Sequence, residues 1–126
     1  GRRLLSTVSS VMKKENLPTC DSESSIKDII HAITDGKCGL IVVTDNNIIK
    51  GIITDGDIRR AMETKEDKFF SLKAKDLMSR NPKLIPLNEK LIKASEIMSE
   101  SKINSLVVVD ENSKLVGIVQ MYDLGL

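Results

Sequence analysis

Thr54 and Asp57 stand three residues apart at the end of an apolar run, in Gly51-Ile52-Ile53-Thr54-Asp55-Gly56-Asp57-Ile58-Arg59-Arg60. A hydroxyl and a carboxylate at that spacing, where a strand gives way to a helix, suit two tasks. As a capping box, Thr54 takes the N–H of Asp57 while the Asp57 carboxylate takes the N–H of Thr54. As a binding site, the first helical turn offers unpaired N–H groups and a field that favours an anion. The carboxylate can then accept two hydroxyl protons from a cis-diol. The spacing admits both tasks, and they are not exclusive. Arg59 and Arg60 follow on the helix, either to neutralise phosphate or as a solvated or subunit-facing pair. A second copy, Gly117-Ile118-Val119-Gln120-Met121-Tyr122-Asp123-Leu124, keeps the carboxylate as Asp123 but has Gln120 in place of the threonine. Glutamine is a poor N-cap, so capping accounts for Asp123 less well than for Asp57. One good site, or two unequal ones, is the expectation.

Other chemistry is sparse. His31 is the only histidine, so a zinc site or a histidine acid–base pair lacks ligands; it reads as a surface or rim residue. Cys20 and Cys38 have no metal-like spacing and are read as reduced thiols of a cytoplasmic protein. Lys37 and Lys102 occupy equivalent positions and read as surface residues. There is no nucleophile–base pair, metal cluster or glycine-rich phosphate loop, so the expectation is a fragment that is not itself an enzyme and requires no cofactor. A net charge of +1 and the absence of a basic stripe argue against nucleic acid as a partner. No apolar run approaches the ~18 residues of a membrane span, so no membrane partner is expected.

The elements that must position these residues come in two copies. Met12 and Met78 are 66 apart, Ile26 and Leu91 65 apart, and Asp57 and Asp123 66 apart. The changes of offset belong in loops, where an insertion costs little. In the first copy Ile26, Ile29, Ile30 and Ile33 follow a helical stripe, with Ser25 and Asp28 as a capping box and Gly36 at the end. Leu40 to Thr44 and Ile48 to Thr54 read as a hairpin around Asp45-Asn46-Asn47, and a helix runs on to about Met62. In the second copy Leu91, Ala94 and Met98 form the stripe, and Leu106 to Val109 and Lys114 to Val119 the hairpin. Tyr122-Asp123-Leu124 opens a helix that the chain end cuts short. The fold class is α/β (α+β), each repeat β-α-β-β-α, with two repeats packed sheet to sheet about a pseudo-twofold axis. Residues 1–10 read as a lead-in segment, 11–63 as repeat 1, 64–75 as linker and 76–126 as repeat 2. Phe69 and Phe70, in that linker, cover the core or anchor a subunit contact. The start without Met reads as the cut edge of a longer protein.

With Val11-Met12, Leu77-Met78, the two hairpins and both strand–turn–helix motifs in register, the chain resembles a tandem CBS-domain pair (a Bateman module). The match spans almost the whole chain. Gly1-Arg2-Arg3-Leu4-Leu5, Val8-Ser9-Ser10-Val11-Met12 and Thr54-Asp55-Gly56-Asp57-Ile58-Arg59-Arg60-Ala61 further resemble the C-terminal half of the D-arabinose 5-phosphate isomerase family. That family joins a catalytic sugar isomerase (SIS) domain to a CBS pair. It interconverts D-arabinose 5-phosphate and D-ribulose 5-phosphate on the route to Kdo, for lipopolysaccharide or capsule. The resemblance implies a regulatory module that binds a nucleotide or nucleotide-sugar in the cleft between repeats. Thr54 would lie near phosphate and Asp57 on ribose hydroxyls, with Asn104, Ser105 and Asp123 as further ligand contacts. Gly39 and Leu40, the counterparts of Asn104 and Ser105, offer no side-chain hydrogen bond. The basic residue frequent in adenylate binders is missing at these positions. The implied effector is CMP-Kdo or an adenosine phosphate. The implied partners are the protein's own SIS domain and a second CBS pair, giving a homodimer and, at full length, a tetramer. A purely structural module without ligand, or a CBS pair of another parent protein, is the alternative.

Overall fold

Two β-hairpins organise residues 5–125, the part that the computed structural model describes. The Gly1-Arg2-Arg3-Leu4 part of the family resemblance lies outside the described residues, as does Leu126. A short strand β1 (Thr19–Cys20) runs parallel to β2 (Leu40–Asp45), which pairs antiparallel with β3 (Ile48–Thr54). The second sheet repeats that order: β4 (Leu84–Pro86) parallel to β5 (Ser105–Val109), and β5 antiparallel to β6 (Leu115–Gln120). β2 and β3 close directly through Asn46 (φ 52°) and Asn47 (φ 66°), the left-handed pair that a two-residue hairpin needs and asparagine tolerates. The β5–β6 turn is longer. There Asp110 Oδ1 accepts from the N–H groups of Asn112 and Lys114, each at 2.9 Å. Val42 pairs with Ile52 and Val107 with Ile118, so the offset between repeats passes from 65 to 66 within this turn.

Helix α1 (Ile26–Gly36) begins where the Ser25 side chain accepts the Asp28 N–H, one half of the expected box. Its buried face is Ile26, Ile29 and Ile33; Ile30 is 40% exposed, contrary to the expected stripe. At 3.6 residues per turn Ile30 lies about a quarter turn from the middle of that face. The helix stops on Lys37, which takes the left-handed conformation (φ 54°) in place of the expected glycine cap. Gly36 stays helical, where a methyl group would sit 2.5 Å from Pro18 Cβ. Helix α2 (Asp55–Lys65) runs beyond Met62. A 3-10 turn (Glu66–Ser71) and a short helix α3 (Ala74–Leu77) occupy most of the stretch from 66 to 77. Phe69 is buried there, whereas Phe70 packs edge-on against it and is 79% exposed.

Helix α4 (Leu91–Ser101) buries Leu91, Ala94 and Met98 completely and ends on Lys102, also left-handed (φ 55°). After β6 the expected helix is a single 3-10 turn, Met121–Asp123. Gln120 makes no capping bond, so the free N–H groups of a full helix would go unanswered there.

Each sheet gains an edge partner from outside its hairpin. Ser79 and Ile52 exchange N–H···O bonds of 2.8 and 3.0 Å, and Lys13 and Ile118 do the same. The crossings require glycine: a methyl group on Gly117 would stand 2.8 Å from the Lys13 carbonyl oxygen, and one on Gly51 would collide with that of Ser79. The described residues therefore pack as two units, Pro18–Pro82 and residues 5–17 with 83–125. The first has Ile26, Ile29, Ile41, Ile53 and Phe69 in its core, the second Val8, Ile85, Leu91, Met98, Leu106 and Leu124.

Candidate functional site

In the first unit, β3 delivers Thr54 at its end, opposite Leu40, in extended conformation (φ -107°, ψ 168°). This is the N-cap geometry of α2, and the capping box is complete. Thr54 Oγ1 accepts the Asp57 N–H at 3.2 Å, and Asp57 Oδ2 accepts the Thr54 N–H at 2.9 Å. A hydroxyl that accepts can still donate, so the Thr54 O–H remains a donor. The other carboxylate oxygen, Oδ1, accepts from Arg60 Nη2 at 2.6 Å in an i,i+3 ion pair. Asp57 is 19% exposed and Arg60 68%. Three polar groups thus meet at the first turn of a helix, where the macrodipole favours an anion. Arg59 and Arg60 are both exposed.

The second unit gathers its residues at the equivalent sheet end without the same bonds. Ser105 pairs with Gln120, and the Met121 N–H donates to the Asn104 carbonyl oxygen at 2.8 Å. Asn104 is exposed and Ser105 half-buried. Gln120 Oε1 accepts the Tyr122 hydroxyl at 2.9 Å instead of capping. Asp123 is half-buried, and its carboxylate accepts no hydrogen bond from the described residues. Thr54 is thus joined to Asp57, and Asn104 and Ser105 share a strand end with the turn that carries Asp123. His31, Lys37 and Lys102 are exposed.

Neither cysteine is a poised nucleophile. Burial pushes the Cys20 thiol up to about 11, and Cys38 is buried with Sγ donating to the Gly36 carbonyl oxygen at 3.1 Å. A polar clasp went unread in the sequence. Glu23 takes Lys75 at 2.7 Å and Lys73 at 3.0 Å, while Ala74 and Lys75 donate backbone bonds to Ser24 and Ser22. The bonds to Lys75 and Lys73 hold the Glu23 carboxyl below its ordinary range, and Glu23 holds the Lys75 ammonium above its own. The Ser22 backbone N–H, donating to Asp45 Oδ1 at 3.0 Å, likewise holds the Asp45 carboxyl below its ordinary range. Partners some 50 residues apart leave no local signal.

A family model described as CBS domain matches residues 8–64 and again 74–124. The chain belongs to the CBS domain family. The pair is 39% identical to the arabinose 5-phosphate isomerase KpsF of Escherichia coli, over 98% of this chain and 37% of that protein. It is 41% identical to a probable arabinose 5-phosphate isomerase of Haemophilus influenzae, over 95% of the chain and 35% of the relative. The chain therefore spans little more than a third of the curated relatives it matches. Among solved structures, CBSX2 in complex with AMP superposes with a TM-score of 0.79 at 25% identity, covering 94% of this CBS pair and 92% of that chain. A CBS domain-containing protein of Bacillus anthracis reaches 0.85 at 15% identity, covering 98% and 92%, a likeness of fold alone. The two three-stranded sheets with their helices are the mixed α/β fold of these CBS pairs. No helix among the described residues is long and apolar enough to cross a membrane.

Proposed function

We propose that this CBS pair is the ligand-sensing part of a sugar-phosphate isomerase interconverting D-arabinose 5-phosphate and D-ribulose 5-phosphate, with catalysis in a separate SIS domain. The relatives' names support that parent, since both matched isomerases cover nearly all of the chain. The effector is a nucleotide or nucleotide-sugar held at the Thr54–Asp57 turn, with Asn104, Ser105 and Asp123 forming a second, weaker place. AMP in the CBSX2 structure supports an adenosine phosphate; CMP-Kdo fits feedback on a Kdo route. A homodimer of CBS pairs, a tetramer with SIS domains and a cytoplasmic setting belong to the same reading. Regulation then requires the effector to favour one arrangement of the protein over another.

The observation that carries the ligand reading is Asp123. A half-buried carboxylate that accepts no hydrogen bond from the described residues, at the position where the other repeat has Asp57, supports a ligand contact at these turns. The complete capping box favours a second reading for Thr54 and Asp57, a structural module without ligand. A thermal-shift screen against AMP, ADP, ATP, CMP and CMP-Kdo separates them. A ligand at 100 times its dissociation constant adds about 2.7 kcal/mol, a shift of several degrees for a domain of this size. A shift with one nucleotide that is lost in Asp57→Asn supports the sensor. No shift with any of them leaves the structural module.

A further inference from the structure

Resting on the nucleotide reading above, one side chain at the Thr54–Asp57 turn stands out for what it covers. Arg60 reaches back over the first turn of α2 to Asp57 Oδ1, while Oδ2 is held by the Thr54 N–H. A Cβ on Gly56 would stand 3.2 Å from Arg60 Nη1 and 3.6 Å from both Nη2 and Thr54 Oγ1. Gly56 is helical with no positive φ, so its conformation does not call for glycine, and alanine there would favour the helix. What the glycine provides is room for the Arg60 guanidinium to lie over the backbone beside the Thr54 hydroxyl on its way to Asp57.

We propose that Arg60 sets the ligand class of this site by exchanging partners. The anionic group of a nucleotide takes the guanidinium, and the ribose cis-diol takes the place that Arg60 leaves on Asp57 Oδ1. The exchange is cheap, because an ion pair whose arginine is 68% exposed is worth little in water and one such pair replaces another. It also answers why the strand ends lack a basic residue: the cation comes from the helix itself, at position 60. The site therefore takes phosphorylated or carboxylated nucleotides and discriminates against the uncharged nucleoside.

Calorimetric titration of the 126-residue protein with AMP and with adenosine tests this, in wild type, Arg60→Gln and Arg60→Lys. Wild type binds AMP more tightly than adenosine. Arg60→Gln weakens AMP roughly tenfold through loss of the charge-assisted bonds and leaves adenosine within twofold, so the preference collapses. Arg60→Lys retains part of the preference as a point charge. Melting curves confirm the fold of each variant. If Arg60→Gln weakens both ligands equally, or neither, the exchange is overturned and the nucleotide reading stands. If wild type binds neither compound, the adenosine-nucleotide reading falls and the exchange with it.

Discussion

Replacing Asp57 and Asp123 by alanine separates the two carboxylates that look alike in sequence. Asp57→Ala removes the acceptor of the Thr54 N–H, a capping bond at 2.9 Å worth about 1 kcal/mol. It also removes a negative charge from the first turn of an 11-residue helix, worth about 0.5 kcal/mol. The ion pair with Arg60 adds only about 0.3 kcal/mol, because the guanidinium is mostly in solvent. Together these come to about 1.5–2 kcal/mol. Asp123→Ala removes no such bond and sits in a three-residue turn, so its cost is about 0.5 kcal/mol or less. Thermal melts followed by circular dichroism, with urea titrations as a check, read the difference. Asp57→Ala should melt roughly 5–8 °C below wild type and Asp123→Ala within about 2 °C of it. Equal losses at both positions, or none at Asp57, would refute the assignment of the cap to Asp57 alone.

Three further outcomes follow from the same structure. Lys102→Gly should stabilise the protein by about 0.5–1 kcal/mol, since glycine adopts the left-handed cap at φ 55° without a side-chain clash; urea denaturation reads the gain. Gly117→Ala should cost about 2–3 kcal/mol in the same assay, because its new methyl group meets the Lys13 carbonyl oxygen at 2.8 Å and backbone gives way less easily than a side chain. The Glu23 carboxyl, held below its ordinary 4.5, contributes stability that is present above that pH and lost as pH falls through its lowered folded value. Glu23→Gln should therefore lower the melting temperature at pH 7 and flatten its decline below about pH 4.5, as pH-dependent melts would show.

What was legible in the sequence was local. The Ile26, Ile29 and Ile33 stripe, both hairpins and the Thr54–Asp57 box depend on residues within a few positions of each other, and spacing encodes such contacts directly. Ile30 lies outside the buried face: periodicity marks a stripe without its width. The last turn came out shorter than a helix because Gln120 bonds Tyr122 and leaves the backbone uncapped. Pairings of Lys13 with Ile118 and Ser79 with Ile52, and the Glu23 clasp on Lys73 and Lys75, join segments that no local pattern connects. At the site, the residue types were readable, whereas the reach of Arg60 over Gly56 is a matter of side-chain direction. Among the described residues, the contrast between Asp57, bonded to the Thr54 N–H, and Asp123, which accepts no such bond, is foreshadowed only by the change from Thr54 to Gln120.

The central claim is that a nucleotide binds at the Thr54–Asp57 turn. A titration of ¹⁵N-labelled protein with AMP, followed by amide chemical shifts, tests it most directly. The account predicts saturable shifts centred on Thr54, Gly56, Asp57 and Arg60, with weaker ones at Asn104, Ser105 and Asp123. Saturable shifts that leave the Thr54–Arg60 amides unmoved, or no saturable shifts up to millimolar AMP, would contradict it.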